Sequence, residues 1–291
     1  MENVLVLGGS GLIGKAIINE LNNKSEFEIY ATYFQSLPPL GLERSIKVDV
    51  DNLEDISNML KKVKPQSVIS CLRGNFNSQL NFHKKVAEYL KENNGKLYFF
   101  STTNVFDNDL SKPHYEDESP NSCTDYGRYK LACEESMRDI LNDNACILRI
   151  PQVWGKNSPR MKELLHATNN NGKITVYPKL YINTNTDVFI AKQLCYIIEH
   201  KLSGIFHLAA EDVVGFKEFY NELIKRLGLS NVDILESNEE QGTFALLSKR
   251  SNEFPSELRT KNKSVIEYLT TKNTGSLKWY LYFNVVQIDK I

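Results

Sequence analysis

The sequence predicts an α/β fold in which a doubly wound parallel sheet is joined to a small C-terminal region. Three observations support this prediction. Short apolar runs alternate with amphipathic stretches over residues 1–150, which is the pattern of parallel strands covered by helices on both faces. A glycine-rich turn directly follows the first apolar run, as expected where a strand leads into a helix. Beyond residue 150 the alternation loosens, which indicates a region of different organisation.

The elements of the first half follow from their periodicity. Short, continuous and often β-branched apolar runs predict buried strands, and apolar residues at helical spacing predict amphipathic helices between them. The six predicted strands lie at 3–7, 27–33, 45–50, 67–72, 96–101 and 145–150. The four predicted helices lie at 11–24, 52–64, 78–94 and 124–143.

The same criteria predict fewer elements in the second half. Strands are expected at 174–178 and 204–210, and helices at 186–200 and 215–228. The stretch 237–262 is polar and irregular, so it is predicted to be a loop.

The composition argues against several classes of partner. Hydrophobic residues make up 41% of the 291 positions, which suffices for a full core. The formal net charge is −1, so we expect neither a nucleic-acid nor a membrane partner. The N-terminus lacks the regions of a signal peptide, and no apolar run reaches the ~18 residues of a membrane span. We therefore expect a cytoplasmic protein.

The cysteines and histidines argue against disulfides and metal. The chain has five of each. An odd number of cysteines without a CxxC pair fits a reducing compartment better than a disulfide framework. No two histidines have the spacing of metal ligands on a helix, so no metal is expected.

The glycine-rich turn has the spacing of a dinucleotide-binding motif. Gly8, Gly11 and Gly14 lie three apart in "LVLGGSGLIGKAI". The first glycine permits the turn, the second lets the backbone approach a pyrophosphate, and the third allows close packing of helix and strand. The helix N-terminus, with Leu12 and Ile13, offers N–H groups to the phosphates. This predicts a Rossmann-type NAD(P) site; the alternative is a plain glycine turn.

The end of the second strand bears on the choice of cofactor. NAD enzymes of this fold often carry an acid about 20 residues past the glycine turn, but Thr32 and Tyr33 stand there. Because no carboxylate would repel a 2′-phosphate, NADP(H) is favoured over NAD(H). Asp49, at the end of the third strand, is placed to meet the adenine or, alternatively, to cap a helix. Further predicted cofactor-binding residues at the strand ends are Thr32, Val50, Cys71 and Leu72.

The segment "YGRYK" contains a candidate acid–base pair. Tyr126 and Lys130 are four apart on a predicted helix and share one face, whereas Tyr129 points elsewhere. A nearby ammonium group lowers the pKa of a phenol. The phenol can then exchange a proton with a substrate oxygen while hydride moves to or from a nicotinamide. Thr102 ends the fifth strand, at the edge where ligands bind in parallel sheets, and is expected to hold that oxygen.

Together these motifs resemble a known family. The segments "STTNVFDNDLSKPHYEDESP", "YGRYKLACEE" and "LRIPQVWG" are similar to those of extended short-chain dehydrogenases/reductases, and among them to the dTDP-4-dehydrorhamnose reductase branch. The resemblance covers most of 1–210 and implies a catalytic triad of Thr102, Tyr126 and Lys130. It also implies that the backbone at Pro151 lies against the nicotinamide amide, although a proline there serves equally to end a strand.

The chain departs from that branch on the substrate side. Thr103 stands where the branch has Asp, and Gln152 where it commonly has Trp. Related 4,6-dehydratases carry an Asp-Glu pair in place of Thr103 and Asn104, so elimination chemistry is not expected. Arg73 ends the fourth strand, where it either meets a sugar-nucleotide phosphate or pairs with an acid of the loop 115–118. The predicted substrate-binding residues are Arg73, Thr103 and Gln152.

The implied function is the reduction of a nucleotide-activated 4-keto sugar by NADPH, with Tyr126 as the proton donor. Two alternatives stay open: a nucleotide-sugar epimerase that retains NAD(P), and a non-catalytic, cofactor-binding regulatory subunit like that of methionine adenosyltransferase. The expected partner is a small-molecule nucleotide sugar, and a homodimer is a possible assembly. We expect residues 1–150 to bind NAD(P), with 174–203 packed on them. Residues 151–173 and 204–291 are expected to bind the substrate.

Overall fold

The computed structural model of the protein describes residues 1–72, 74–169, 172–229 and 232–271. The strands in these ranges are β1 (Glu2–Leu7), β2 (Phe27–Tyr33), β3 (Ser45–Lys47), β4 (Ser67–Ser70), β5 (Lys96–Thr102), β6 (Ala145–Ile150), β7 (Gln152–Trp154), β8 (Lys173–Val176), β9 (Leu180–Ile182), β10 (Thr184–Thr186), β11 (Gly204–His207), β12 (Val214–Gly215), β13 (Asp233–Glu236) and β14 (Gly242–Phe244). The helices are α1 (Leu12–Leu21), α2 (Leu53–Val63), α3 (Phe76–Glu92), α4 (Asp125–Leu141), α5 (Pro159–Asn169), α6 (Asp187–Glu199), α7 (Phe216–Leu227) and α8 (Asn262–Thr270).

Seven strands form one parallel sheet in the order β11-β6-β5-β4-β1-β2-β3. The direction of strand succession reverses between β1 and β4. The carboxyl ends of the strands open a crevice at such a reversal, and ligands bind there in open α/β sheets. The predicted fold class is therefore confirmed, and the predicted glycine turn lies at the end of β1 beside this crevice.

Helices cover both faces of the sheet. Consecutive residues of β1 alternate between the faces: Val4 and Val6 join the cluster formed with α1 and α6, while Leu5 and Leu7 join the cluster formed with α2, α3 and α4. All four side chains are fully buried. A strand that is buried on both faces reads as a continuous apolar run, which is why the sequence indicated a parallel sheet.

The helix that carries "YGRYK", α4, has a well-defined start. The hydroxyl of Thr124 accepts a hydrogen bond from the Gly127 N–H at 3.2 Å and so caps the helix. A Cβ on Gly127 would lie 2.3 Å from the carbonyl oxygen of Asn104, so glycine lets the first turn of α4 approach the chain that leaves β5. This contact holds the first turn of α4 next to the carboxyl end of β5.

The C-terminal part has a core of its own. Trp154, Phe219 and Leu223 are fully buried in a cluster to which α5, α7, α8 and the strands β7 to β9 contribute. Three small sheets surround it, with strand orders β10-β7, β12-β9-β14 and β13-β8. Helices α5 and α8 and most of these short strands were not predicted, because strands of two to four residues carry too little period-2 signal.

Several expectations for the second half were wrong. The strand expected at 204–210 is shorter, Gly204–His207, and it pairs with β6 as the edge of the main sheet instead of joining the C-terminal region. Strands β8 and β9 bury their apolar residues in the C-terminal core, whereas α6 packs on the main sheet against α1. The supposed loop 237–262 contains β14, which pairs with β9. The assignment of cofactor and substrate roles to the two regions stays a prediction.

Candidate active site

Two glycines of the turn after β1 are required by the fold itself. Gly8 has φ +80°, a conformation that favours glycine, and a Cβ there would lie 3.1 Å from the carbonyl oxygen of Cys71. A Cβ on Gly14 would lie 2.3 Å from the carbonyl oxygen of Gly8. The first and third positions of the motif therefore allow the turn and the close approach of α1.

Gly11 differs from both, because the fold places little demand on it. Its φ is −72° and its ψ is 171°, which any residue adopts, and a Cβ there would meet the Gly8 carbonyl oxygen at a tolerable 3.3 Å. The residue is exposed, and Leu12 and Ile13 behind it begin α1. The missing side chain leaves the N-terminus of α1 open to a ligand, which fits the approach of a pyrophosphate.

Thr32 holds the glycine turn in place. Its hydroxyl oxygen accepts a hydrogen bond from the Gly8 N–H at 3.0 Å, and its carbonyl oxygen accepts one from the Gly9 N–H at 2.9 Å. Thr32 is buried, so these bonds give it a structural role beside the predicted contact with the cofactor.

The region around the end of β2 also contains a cation that the sequence analysis overlooked. Lys47, the exposed last residue of β3, pairs in register with Tyr33. The pairing of β2 with β3 that brings it there is not visible in the sequence.

Asp49 follows β3 and forms a local turn. Its carboxylate accepts from the Asp51 N–H at 3.0 Å, whereas the helix cap of α2 is Asn52, whose side chain accepts from the Glu54 N–H. The alternative role of Asp49 as a helix cap is therefore wrong. Val50 beside it is half-buried.

Cys71 and Leu72 follow β4 and are half-buried beside the glycine turn. Cys71 is anchored by its N–H, which donates to the Leu7 carbonyl oxygen at 2.9 Å. Burial raises the pKa of the Cys71 thiol to about 12, so the group stays protonated near neutrality and is no nucleophile. These two residues therefore offer the crevice a neutral surface.

Lys130 is buried on α4, with its charge held against the end of β5. Its Nζ donates to the carbonyl oxygen of Phe100 at 2.8 Å and lies 4.5 Å from the centre of the Phe99 ring. Tyr126, one turn earlier on the helix, is half-buried, with its ring 5.8 Å from that of Phe76. The helical spacing thus places the predicted tyrosine and lysine on the same stretch of α4, beside the strand that ends at Thr102.

The neighbouring Tyr129 points into the protein. The hydroxyl of Tyr129 donates to Oε1 of Gln79 at 2.8 Å, and its ring stacks on Phe76 at 4.9 Å. Burial raises the pKa of Tyr129 well above its ordinary value. Tyr129 is thus a poor acid–base group, and Tyr126 is left as the candidate within "YGRYK".

Thr102 is oriented by a residue that the sequence analysis did not assign to the site. Its hydroxyl donates to Oδ1 of Asn104 at 2.9 Å and accepts from the Asn104 N–H at 3.3 Å. Thr103, a predicted substrate contact, is buried, and its hydroxyl donates to the Ile150 carbonyl oxygen at 3.1 Å. Thr103 therefore ties β5 to β6. Because its hydroxyl proton is donated to Ile150, it could meet a substrate only as a hydrogen-bond acceptor.

Of the other two predicted substrate-binding residues, Gln152 is described by the structure and Arg73 is not. Pro151 is buried between β6 and β7, and Gln152 opens β7. Within the described ranges, Oε1 of Gln152 is buried without a hydrogen-bond partner. Such an acceptor is costly unless a donor reaches it, so Gln152 is suited to a ligand hydroxyl. Arg73 lies outside the described residues.

The acidic loop between Thr102 and Tyr126 is anchored by a buried carboxylate. The Glu116 carboxylate, which is buried, accepts from the His207 N–H at 3.1 Å and from the Lys249 N–H at 2.9 Å. The loop is therefore held against β11 and the segment after β14. It is a fixed connection that returns the chain to the start of α4.

The described part of the chain gives no sign of a metal centre or a membrane segment. It contains no group of three or more side chains that could together hold a metal ion. None of its helices is both long and apolar enough to cross a membrane.

The parallel sheet, the glycine turn and the tyrosine–lysine helix place this protein among the extended short-chain dehydrogenases/reductases. A family model described as the RmlD substrate binding domain matches residues 74–283, and the chain belongs to this family of sugar-nucleotide reductases. The match includes α4 and most of the C-terminal region.

Curated relatives of two kinds align with the chain. The dTDP-4-keto-6-deoxy-D-glucose reductase of Streptomyces niveus is 20% identical over 216 residues, which cover 70% of this chain and 71% of that protein. Methionine adenosyltransferase 2 subunit beta of Danio rerio is 27% identical over 167 residues, which cover 53% of this chain and 49% of that protein. The second alignment thus spans about half of either protein.

Solved structures share the fold over nearly the whole chain. The dTDP-4-dehydrorhamnose reductase of Bacillus anthracis str. Ames in complex with NADP has a TM-score of 0.77 at 19% identity and covers 92% of this chain and 98% of its own. The enzyme WbmH of Bordetella bronchiseptica in complex with NAD⁺ has a TM-score of 0.75 at 16% identity. The match covers 93% of this chain and 96% of WbmH. Proteins of this fold therefore bind either cofactor.

Proposed function

We propose that the protein is an NADPH-dependent reductase of a nucleotide-activated 4-keto sugar. The observation that carries this proposal is the arrangement on α4. The Tyr129 hydroxyl donates a hydrogen bond to Gln79 in the interior. Tyr126 lies half-buried one turn from Lys130, beside the carboxyl end of β5. If the Tyr126 phenol meets the Lys130 ammonium group and the Thr102 hydroxyl at the substrate, it is suited to protonating a carbonyl oxygen.

In the proposed reaction the nicotinamide, when bound, supplies a hydride to the keto carbon. Tyr126 and Thr102, whose hydroxyl proton turns from Oδ1 of Asn104 to the substrate, hold the keto oxygen, which gains negative charge as the carbonyl bond is reduced. Tyr126 gives its phenolic proton to that oxygen, and Lys130 stabilises the phenolate that remains. The open N-terminus of α1 beside Gly11 would hold the cofactor pyrophosphate.

The substrate side supports a sugar as the reacting group. The unpartnered Oε1 of Gln152 offers an acceptor to a sugar hydroxyl, and the relative in Streptomyces niveus is a nucleotide-sugar reductase by name. We assign cofactor binding to the seven-strand sheet with its helices, and substrate binding to the C-terminal region.

A screen of nucleotide 4-keto sugars tests this function. Purified protein is mixed with each sugar nucleotide, and oxidation of NADPH is followed by its absorbance. We expect turnover of at least one member of the panel. If NAD(P) instead survives purification and a nucleotide sugar is epimerised without net oxidation, the protein is an epimerase and the reductase proposal fails.

The alignment with the methionine adenosyltransferase subunit favours a second candidate, a cofactor-binding regulatory protein. It predicts NADPH binding without turnover of any panel member, together with a stable complex with a methionine adenosyltransferase catalytic subunit in size-exclusion chromatography. Turnover without such a complex would exclude this candidate.

A further inference from the structure

A chain of buried polar groups connects β4 to the helix of the candidate tyrosine. It runs from Ser70 on β4 through His83 and Gln79 on α3 to Tyr129 on α4, and each residue is at most 8% exposed. The layer around it is formed by apolar side chains. Polar groups in such a layer cost free energy unless each is hydrogen-bonded, so packing alone would not select them.

The hydrogen bonds of His83 fix its protonation state. Its Nδ1 lies 2.6 Å from the backbone carbonyl oxygen of Gln79, which can only accept, so Nδ1 carries the proton. Its Nε2 therefore accepts from the hydroxyl of Ser70 at 2.6 Å. Burial, and next the charge of Lys130, lower the pKa of His83 to about 3, so the ring is a neutral, permanently oriented link.

The side chain of Gln79 connects α3 to α4. Its Oε1 accepts from the Tyr129 hydroxyl, while its Nε2 is buried without a partner among the described residues. A Cβ on Gly74 would lie 2.9 Å from that Nε2, so the amide is adjacent to the loop after β4. An unsatisfied buried donor costs about 1 to 3 kcal/mol, which argues that Gln79 serves a purpose other than stability.

The bond to Tyr129 fixes how far α4 can slide along α3. Hydrogen bonds weaken steeply with distance and angle, so a shift of α4 breaks the bond. Tyr126 lies one turn before Tyr129, and Lys130 follows it directly. His83 and Lys130 also contact the same ring. The His83 and Phe99 rings are nearly perpendicular with their centres 5.1 Å apart, and the Lys130 Nζ lies 4.5 Å from the centre of the Phe99 ring.

We propose that Gln79 is a positioning residue, which holds α4 in the register where Tyr126 and Lys130 meet the substrate oxygen. Gln79 acts through Tyr129, whereas His83 ties the α3 backbone at Gln79 to Ser70 of β4. The proposal rests on the proposed function for its kinetic readout, and a second readout below is independent of turnover.

The kinetic test uses Gln79→Met, Tyr129→Phe and the double variant. Displacement of a reacting group by ~1 Å can cost ~10²-fold in rate, so we expect kcat to fall at least about tenfold while KM for NADPH changes little. The double variant should be no slower than the slower single variant, because both remove the same bond. Losses that multiply, or an unchanged kcat, would overturn the proposal.

Gln193→Met is the matched control. Gln193 is also buried, and its side chain bonds Asn185 at 3.0 Å and the Leu258 carbonyl at 2.9 Å, remote from α4. It should lose stability to a similar degree and keep kcat, with all assays run well below each melting temperature. If this variant lost kcat to the same degree, the loss in Gln79→Met would be explained by general destabilisation, and the positioning role would be wrong.

The second readout is the ionisation of Tyr126, followed by NMR of protein labelled with carbon-13 at the phenolic carbon of tyrosine. The resonance is assigned with Tyr126→Phe. In Gln79→Met it should ionise at higher pH than in the wild type, because Lys130 is displaced. An identical titration sinks the positioning role, whatever the substrate screen finds. A shifted titration with no turnover supports positioning and rejects only the reductase function.

Discussion

Glu134 on α4 and Arg149 on β6 form an ion pair in the interior, with the Arg149 Nη2 2.7 Å from the Glu134 Oε2 and side chains 3% and 2% exposed. The Nε of Arg149 also donates to both carboxylate oxygens, and the hydroxyl of Ser101 donates to Glu134. Ser101 directly precedes Thr102, so the pair joins the candidate helix to the strand end on which Thr102 stands.

Removing one partner of this pair should destabilise the fold strongly. Glu134→Gln leaves the Arg149 charge buried without a counterion, and such changes cost about 3 to 5 kcal/mol. The free energy of unfolding, measured by urea titration, should fall by that order. Glu222→Gln breaks the exposed pair with Arg226 on α7 and should leave the midpoint nearly unchanged. Equal effects of the two substitutions would contradict this account of the buried pair.

The glycine turn gives a contrast between two substitutions. Gly11→Val should retain the fold, because φ at Gly11 is ordinary and the nearest contact of a Cβ is 3.3 Å. Its side chain would stand where the pyrophosphate approaches, so NADPH affinity in a fluorescence titration should collapse. Gly14→Ala should instead lower the melting temperature, since its Cβ would lie 2.3 Å from the Gly8 carbonyl oxygen. Unchanged NADPH affinity in Gly11→Val would refute the cofactor assignment.

The main sheet could be predicted because its signals are local. Apolar runs such as 3–7 and the amphipathic helices between them fold into the pattern that their periodicity indicates. The glycine turn and "YGRYK" are likewise short contiguous motifs. Their positions at strand ends follow from the topology of any parallel sheet.

The remaining features depend on contacts between distant segments. Gln79 meets Tyr129 from 50 positions away, and Lys47 stands beside Tyr33 because β3 pairs with β2. Strand β14 forms because β9 is available to pair with it, and its three residues carry no pattern of their own. The orphaned acceptor of Gln152 is visible only once its surroundings are known.

NADPH should bind more tightly than NADH. No acid stands at the end of β2, and the exposed Lys47 is paired with Tyr33 there. Calorimetry with both cofactors measures the preference, and tighter binding of NADH would be the contrary result. Lys47→Gln should lower the affinity for NADPH and leave the affinity for NADH unchanged, so that the two affinities become more similar. Lys62→Gln, which removes an exposed charge from α2, serves as the control.

The buried histidine predicts a dependence of stability on pH. The pKa of His83 falls from 6.5 to about 3 on folding, so between these values the unfolded chain binds a proton that the folded protein does not. The contribution of neutral His83 to the free energy of unfolding is fully present above pH 6.5. It is lost as the pH falls toward 3, by up to about 1.4 kcal/mol per pH unit. His83→Gln should flatten the curve of unfolding free energy against pH in this window. Parallel curves would show that His83 does not titrate on unfolding.

Tyr126→Phe should abolish turnover and leave NADPH binding nearly intact. The ring and its contact with Phe76 are retained, and the transferable proton is lost. General acid catalysis contributes ~10²–10⁴ in rate, so kcat should fall by at least that much on a substrate found by the screen. Tyr89→Phe removes a hydroxyl from α3 and should leave kcat unchanged. Full activity of Tyr126→Phe would mean that another group protonates the substrate, and the tyrosine–lysine assignment would be wrong.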